Sequence, residues 1–215
     1  MCRMVGFSFN EIRESSFLFE HLKQMSKSGI ESPHSHGWGM AIKYNDKEII
    51  FHKSINPIYN EKRINIEGYI GIMHSRKASP KLEKTFLQLH PYFIKDTFFC
   101  HNGTIYMDQI NNVFGTDSFE YFKYINDFSN EDELKRKIKL FSEKNKYTGI
   151  NFLMIKNDKL YAFCKYKKEK EYYTMWYSEK NGVIISSEKL DDSFQPFENG
   201  MFLIAFNGEI IKKCN

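Results

Sequence analysis

The sequence lacks the features that mark secreted, membrane-spanning and zinc-binding proteins. None of its four cysteines forms a Cys-x-x-Cys pair, so neither a zinc ribbon nor a thioredoxin-type site is indicated. The N-terminus has no basic segment followed by an apolar one, and no apolar run approaches the length of a membrane span. We therefore expect a reduced, cytoplasmic protein that has no membrane partner.

A strong charge imbalance is also missing. The net charge is only +4, and the basic residues alternate with acidic ones, as in residues 131–146 and 165–171. This pattern is typical of solvated surfaces and does not predict a nucleic-acid partner. No internal repeat, linker or low-complexity tract interrupts the 215 residues, of which 41% are hydrophobic. The sequence predicts one domain over residues 1–215 with a sizeable core.

Hydrophobic periodicity predicts an α+β chain. Helices are expected at residues 15–28, 118–128 and 131–144, the second capped by Thr116 or Asp117 and the third by Ser129 or Asn130. Strands are expected at residues 3–9, 39–44, 48–52, 68–74, 98–101, 150–155, 159–166, 173–178, 182–187 and 201–206. The apolar run 68–74 is typical of a strand covered on both faces. Turns are expected at Asn45-Asp46, Asn157-Asp158 and Asn181-Gly182. Strands at both ends with helices between them favour one or two largely antiparallel sheets covered by helices.

Cys2 is a candidate nucleophile because of its position. Methionine aminopeptidase removes Met1 when the next residue is small, which would leave a thiol and a free α-amine on one residue. An α-amine ordinarily has a pKa of about 7.7–8.0, so near neutral pH part of it is unprotonated and accepts a proton. One residue then supplies both nucleophile and base. On its position alone, Cys2 is better explained as a small apolar residue opening a buried strand.

An amide-cleaving site also needs donors for the oxygen that gains charge. Asn102 and Gly103 directly follow a predicted strand, and the Asn side chain and Gly backbone N–H could point at one such oxygen. Taken alone, the dipeptide is better explained as an ordinary Asn-Gly turn.

Two charged residues are candidates for holding an amino-acid substrate. Arg76 follows the buried strand 68–74, and its planar guanidinium matches a carboxylate. Asp117 begins a helix and could accept from a substrate ammonium or serve as the N-cap. Taken alone, Arg76 is better explained as an ordinary surface arginine.

Six segments in this order resemble the class II, or N-terminal-nucleophile, glutamine amidotransferases, and the stand-alone single-domain members above all. The segments are MCRMVGF, HGWGMA, HSRKAS, LHPYF, CHNGTI and TDS, and the later VIISSEKLDD adds to the likeness. Each segment alone is weak, but the set in order, with cysteine at position 2, is specific.

The resemblance implies a fold and a site. The fold is a four-layer αββα sandwich (the Ntn-hydrolase fold) with two central antiparallel sheets. Cys2 matches the catalytic cysteine, and Asn102 and Gly103 match the oxyanion-hole pair. Arg76 matches the residue that binds the α-carboxylate of glutamine, Asp117 the acceptor of its α-ammonium, and Ser79 a residue lining the glutamine pocket.

Two positions depart from the family pattern. His36 stands where relatives commonly have Asp before Gly-Trp-Gly, and Phe119 follows Asp117-Ser118 where many have Glu. His34 and His36 form a His-x-His pair, but only Glu31 lies close before it, so no metal site is predicted. His90-Pro91 is interpreted as a structural turn, His101 as a packed neighbour of the oxyanion hole and Trp38 as core.

The resemblance implies an amidohydrolase that acts through a γ-glutamyl thioester on Cys2 and needs no cofactor. Its partner is a small molecule, glutamine or a γ-glutamyl amide, and a separate ammonia-accepting synthase remains an alternative, as does a non-catalytic glutamine-binding module. The sequence leaves open the leaving group, the acceptor, the pathway, the oligomeric state and the removal of Met1. Aromatic residues of the last third could widen the pocket, although sheet core explains them better: Tyr161, Phe163, Tyr172, Tyr173, Trp176 and Tyr177.

Overall fold

The computed structural model describes residues 2–45, 47–79 and 85–215. Its α-helices are α1 (Ser16–Ser28), α2 (Asp117–Asn126), α3 (Glu131–Lys144) and the short α4 (Lys170–Tyr173). Its strands are β1 (Arg3–Glu14), β2 (Trp38–Lys43), β3 (Ile49–Ser54), β4 (Glu67–Ser75), β5 (Tyr92–Ile94), β6 (Thr97–Asn102), β7 (Ile105–Tyr106), β8 (Lys146–Tyr147), β9 (Asn151–Lys156), β10 (Lys159–Phe163), β11 (Trp176–Ser178), β12 (Val183–Ser186), β13 (Gln195–Pro196), β14 (Phe202–Phe206) and β15 (Glu209–Cys214). Single 3₁₀ turns occur at Ile58–Asn60 and Phe86–Gln88.

Two large antiparallel sheets form the centre of the fold. The first sheet has the order β13-β11-β12-β1-β4-β2-β3, and the second has the order β15-β14-β10-β9-β6-β5. β7 and β8 pair separately. β4 lies between β1 and β2 in the first sheet, which explains the continuous apolar sequence predicted for a strand covered on both faces.

Three hydrophobic cores separate four layers. One lies between the two sheets, where Met4 and Ile72 meet Leu153 and Leu203. A second joins the outer face of the second sheet to α2 and α3. A third joins the outer face of the first sheet to α1. The layer order is therefore helix, sheet, sheet, helix, as the family resemblance implied.

Most predicted elements are present, with shifted ends. The Asn157-Asp158 and Asn181-Gly182 turns have positive φ at all four residues, as tight hairpin turns require. Asp46 of the third predicted turn lies outside the described residues, although β2 and β3 pair as a hairpin.

Several predicted boundaries were wrong. The strand predicted at 173–178 begins only at Trp176, because Tyr173 ends α4. The helix predicted at 118–128 ends at Asn126, and β1 continues to Glu14 instead of stopping at Phe9.

The aromatic residues of the last third pack mainly in cores. Tyr161 and Phe163 belong to the core under α2 and α3, whereas Tyr172, Tyr173 and Tyr177 belong to the core between the sheets. No helix among the described residues is both long enough and apolar enough to span a membrane.

Candidate active site

A cleft opens where β1 begins and where β4 and β6 end. Cys2, Arg76, Ser79, Gly103 and Asp117 line it. These are five of the six residues that the sequence pointed to. The sixth is Asn102, which is buried and hydrogen-bonded to Cys2. The fold therefore brings all six candidate residues together from segments far apart in the chain.

Strand register explains how Cys2 and Arg76 meet. Arg3 pairs with Ser75 across β1 and β4, so the residue before β1 lies beside the residue after β4. β6 belongs to the facing sheet and ends at Asn102. The start of β1 and the end of β4 in the first sheet thus face the end of β6 in the second sheet.

Cys2 and Asn102 share a directed hydrogen bond. The Cys2 backbone nitrogen donates to Asn102 Oδ1 at 2.8 Å. Because Oδ1 is the acceptor here, the orientation of the Asn102 amide is fixed and its Nδ2 is left as a donor on the other side. The Cys2 Sγ lies 4.0 Å from the backbone oxygen of Lys77.

Gly103 permits a close approach of two backbone segments. Its φ is +153°, and a Cβ added there would lie 1.8 Å from the Gly149 carbonyl oxygen. No side chain larger than hydrogen fits without moving that segment. An ordinary Asn-Gly turn would not impose such a contact, so the glycine at this position is explained by packing at the edge of the cleft.

Arg76 is not a surface residue, so that alternative interpretation was wrong. Its side chain is 4% exposed, and its Nη2 donates to Gln88 Oε1 at 2.7 Å. Its backbone N–H donates to the Gly37 carbonyl oxygen at 2.8 Å. A buried guanidinium held at the base of a cleft is well suited to receive an anion.

Asp117 is not the helix cap. The hydroxyl of Thr116 caps α2 by accepting from the Phe119 N–H at 3.2 Å. The Asp117 carboxylate instead accepts from the backbone N–H groups of Ile105 at 2.6 Å and Ser118 at 2.8 Å. These two bonds fix the carboxylate at the cleft wall. Ser79 also lies on the wall, with its Oγ 3.5 Å from Thr104 Oγ1.

His36, which departs from the family pattern, has an identifiable contact. Its Nδ1 accepts from the Ala78 N–H at 2.8 Å. An aspartate carboxylate could accept the same bond, so the substitution preserves support of the loop that follows Arg76. His34 contacts Tyr172 OH instead, at 3.4 Å. Within the described residues, no cluster of three or more His, Cys, Asp or Glu could hold a metal ion.

The histidines around the cleft are kept neutral. Burial lowers the pKa of His101 to about 4 and that of His74 to about 3, the latter helped by Arg76. His101 Nε2 lies 3.3 Å from the Gly149 carbonyl oxygen and Nδ1 lies 2.8 Å from Ser118 Oγ. A carbonyl only accepts, so Nε2 carries the proton and Nδ1 accepts from the serine. Neutral imidazoles leave Arg76 as the buried cation of the cleft.

The sequence did not reveal how the segment around Cys2 is held. The Tyr172 hydroxyl donates to the Cys2 carbonyl oxygen at 3.2 Å. The fully buried Arg3 guanidinium lies 4.2 Å from the centre of the Tyr172 ring and forms an ion pair with Glu188 at 2.8 Å. Gln88, the partner of Arg76, was also missed. None of these contacts joins neighbours in sequence, so no local motif signals them.

The comparison with protein families decides the membership. The model of the class II glutamine amidotransferases matches residues 1–178. The chain belongs to this family. A class II glutamine amidotransferase hydrolyses the amide of glutamine or transfers its nitrogen, and its substrate is a small molecule.

Several known proteins resemble this family member. An uncharacterised protein of Methanocaldococcus jannaschii is 25% identical, and the match covers 98% of this chain and 71% of the relative. The crystal structure of a predicted glutamine amidotransferase from Pseudomonas aeruginosa has a TM-score of 0.67 at 17% identity, covering 98% of this chain and 100% of that one. A glutamine aminotransferase class-II domain protein from Silicibacter pomeroyi has a TM-score of 0.66 at 14% identity, with coverage of 100% and 99%.

A larger enzyme contains the same fold as one part. The glutamine phosphoribosylpyrophosphate amidotransferase of B. subtilis has a TM-score of 0.66 at 13% identity. The match covers all of the present amidotransferase chain but only 49% of the B. subtilis chain. At these identities the solved structures show a shared fold alone.

Proposed function

We propose that this chain is an amidohydrolase that cleaves the γ-amide of glutamine or of a γ-glutamyl compound through a thioester on Cys2. The observation that carries the proposal is the 2.8 Å bond between the Cys2 nitrogen and Asn102 Oδ1. Once Met1 is removed, this nitrogen is the α-amine of the nucleophile. The same asparagine that holds the base then presents its Nδ2 as an oxyanion donor.

Substrate binding uses opposite charges at opposite positions. The Arg76 guanidinium binds the α-carboxylate, and the Asp117 carboxylate accepts from the α-ammonium. Ser79 lines the pocket. This clamp fixes the amino-acid end and leaves the γ-amide free to reach Cys2 Sγ.

The chemistry proceeds in two balanced steps. The α-amine of Cys2 takes the thiol proton, and the sulfur attacks the amide carbon while Asn102 Nδ2 and the Gly103 N–H stabilise the oxyanion. The resulting ammonium gives its proton to the leaving nitrogen as the C–N bond breaks. Water, activated by the same amine, then adds to the thioester, and the thiol leaves with the glutamyl acid as product.

A mass and activity experiment tests the proposal. Intact mass first establishes that Met1 is absent, and the protein is then incubated with glutamine and with a panel of γ-glutamyl amides. Wild type should release glutamate, Cys2→Ala should not, and Cys214→Ala should behave as wild type because Cys214 lies outside the cleft. An acid-quenched sample should carry one added glutamyl group on Cys2. Absence of turnover in a protein that lacks Met1 would reject the stand-alone hydrolase.

The second candidate is a glutaminase that passes ammonia to a separate synthase. The B. subtilis amidotransferase supports it, because half of that chain lies beyond the shared fold. A synthase-dependent enzyme would hydrolyse glutamine slowly alone and faster with its acceptor enzyme present. The panel separates the two candidates: fast turnover of one γ-glutamyl amide without any partner supports the hydrolase.

A further inference from the structure

A second cavity lies on the face of the second sheet that α3 covers. Its volume is about 350 Å³, within the range of small-molecule sites. It shares no residue with the Cys2 cleft. Residues of α3, β10 and β14 form its walls, together with Lys165, Gly200 and Asn215. The proposed amidohydrolase chemistry does not use this cavity.

The floor of the cavity is apolar. Phe163 and Phe202 are direct partners across β10 and β14, so their side chains lie next to each other on the same face of the sheet. Ile138 of α3 completes the apolar lining. Contact with such a floor favours a ligand that has an aromatic or aliphatic body.

The rim of the cavity is predominantly cationic. Lys135, Arg136 and Lys139 come from α3, and Lys165 follows β10. Among the described residues, no carboxylate lies within ion-pair distance of these four groups. The acidic side chains at the start of α3 form ion pairs with other lysines: Glu131 with Lys159 at 2.9 Å, Asp132 with Lys212 at 3.2 Å, and Glu133 with Lys137 at 3.9 Å. Asn215 also lines the cavity and donates to Glu198.

We propose that this cavity binds a small amphipathic anion, with an aromatic or acyl body on the Phe163–Phe202 floor and a carboxylate or phosphate at the cationic rim. Four neighbouring positive charges repel one another, and an anion between them relieves that repulsion and accepts charge-assisted hydrogen bonds. An inorganic anion would leave the apolar floor in contact with water. A neutral apolar molecule would leave the cations unpaired. Only a ligand that combines both features matches the whole cavity.

Fluorescence of 8-anilinonaphthalene-1-sulfonate, an aromatic anion, is the direct probe. Wild type should bind one equivalent, and phenyl phosphate should displace it. Inorganic phosphate and benzyl alcohol should each compete much more weakly, because each has only half of the required chemistry. If inorganic phosphate competes as well as phenyl phosphate, the apolar floor does not contribute to binding. If benzyl alcohol competes as well as phenyl phosphate, the cationic rim does not contribute to binding.

Two variants on the same helix locate the site. Lys139→Glu should weaken binding of phenyl phosphate about tenfold or more, since a cation at the rim becomes an anion. Lys144→Glu makes the same charge change on α3 outside the cavity and should leave binding within about twofold of wild type. Unfolding midpoints of both variants are measured alongside. Equal binding by wild type and Lys139→Glu, with both proteins folded, would overturn the proposal.

Discussion

Asn102 serves two groups with its two side-chain atoms, according to the proposed mechanism. Oδ1 accepts from the Cys2 nitrogen at 2.8 Å, and this bond directs Nδ2 toward the position where the oxyanion forms. An aspartate has the same shape and retains the acceptor but has no donor. The two roles are therefore separable by one isosteric substitution.

Asn102→Asp should lower kcat for glutamine hydrolysis by about 10²–10³ with a much smaller change in KM, because the lost donor acts mainly on the transition state. Steady-state glutamate release measures both constants. Asn56→Asp, at an exposed position that does not line the cleft, is the matched control. A variant with Asp at position 102 and a normal kcat would exclude Asn102 from the oxyanion hole.

Tyr172 acts on Cys2 through one hydroxyl. Tyr172→Phe removes the donor to the Cys2 carbonyl and should lower the free energy of unfolding by about 0.5–1.5 kcal/mol. It should also lower kcat several-fold while KM is retained, because Arg76 and Asp117 still hold the substrate. Tyr161→Phe, a buried tyrosine in the core under α2 and α3, is the control for hydroxyl loss alone. A larger effect of Tyr172→Phe on KM than on kcat would contradict a positioning role.

At the scale of elements, the turn that follows β6 depends on a glycine for space and not only for conformation. A Cβ on Gly103 would meet the Gly149 oxygen at 1.8 Å, whereas Gly115, with φ of +61°, has nothing within 4 Å of its Cβ position. An alanine substitution at Gly115 therefore measures the free-energy cost of a positive φ without a steric collision.

Gly103→Ala should abolish hydrolysis and destabilise the fold by more than about 2 kcal/mol, since the strand end must move away from Gly149. Gly115→Ala should retain hydrolysis and lose about 1 kcal/mol, the cost of alanine at positive φ. Urea unfolding and glutamate release are measured on both proteins. Equal loss of stability in the two variants would mean that the contact with Gly149 relaxes easily.

Sequence patterns predicted the central elements because burial on one or both faces gives clear periodicity. β4, inside the first sheet, is apolar almost throughout, and α3 presents Leu134, Ile138 and Phe141 at helical spacing. β15 was not predicted, since as an edge strand it alternates half-buried and exposed residues. The Asn207-Gly208 pair before it, with φ of +51° and +80°, is a hairpin signal that could have revealed it.

The candidate site was predictable only in part. Cys2, Arg76 and Asn102 each follow or precede a strand within a short motif, so local sequence pointed to them. The contacts that hold them arise from tertiary packing: Tyr172 reaches Cys2 across 170 positions of the chain. Gln88 lies in a short 3₁₀ turn without periodicity. Such partners become visible only when the layers are assembled.

At the scale of the whole molecule, the layered fold buries several imidazoles without charging them. Four histidines have strongly lowered pKa values, and burial is the largest cause at each. The pKa is about 3 for His34 and His74, about 4 for His101, and well below the ordinary value for His90. In the unfolded chain each would titrate near pH 6.5. The folded state therefore binds fewer protons than the unfolded state throughout the range between these values.

This difference sets the direction of the pH dependence. Groups with lowered pKa values in the folded state stabilise it fully above pH 6.5, and that contribution is lost as the pH falls. Each such histidine reduces the free energy of unfolding by about 1.4 kcal/mol per pH unit below 6.5. Together, the four histidines approach a difference of about four bound protons between the unfolded and the folded state, and this difference sets the slope of stability against pH. Carboxylates with ordinary pKa values titrate lower, so the interval from pH 6.5 to 5 isolates the histidines.

Urea unfolding at pH 8, 6.5, 6 and 5.5 should therefore show a flat region above pH 7 and a steep loss of stability below 6.5. His74→Gln should reduce the slope by about one proton, even though its stability at pH 8 is lower. His52→Gln, at an exposed position of β3, is the matched control for replacing a histidine by glutamine. A slope below one proton in wild type would mean that water or a structural opening lets these imidazoles protonate in the folded protein, and the buried neutral cluster around Arg76 would have to be abandoned.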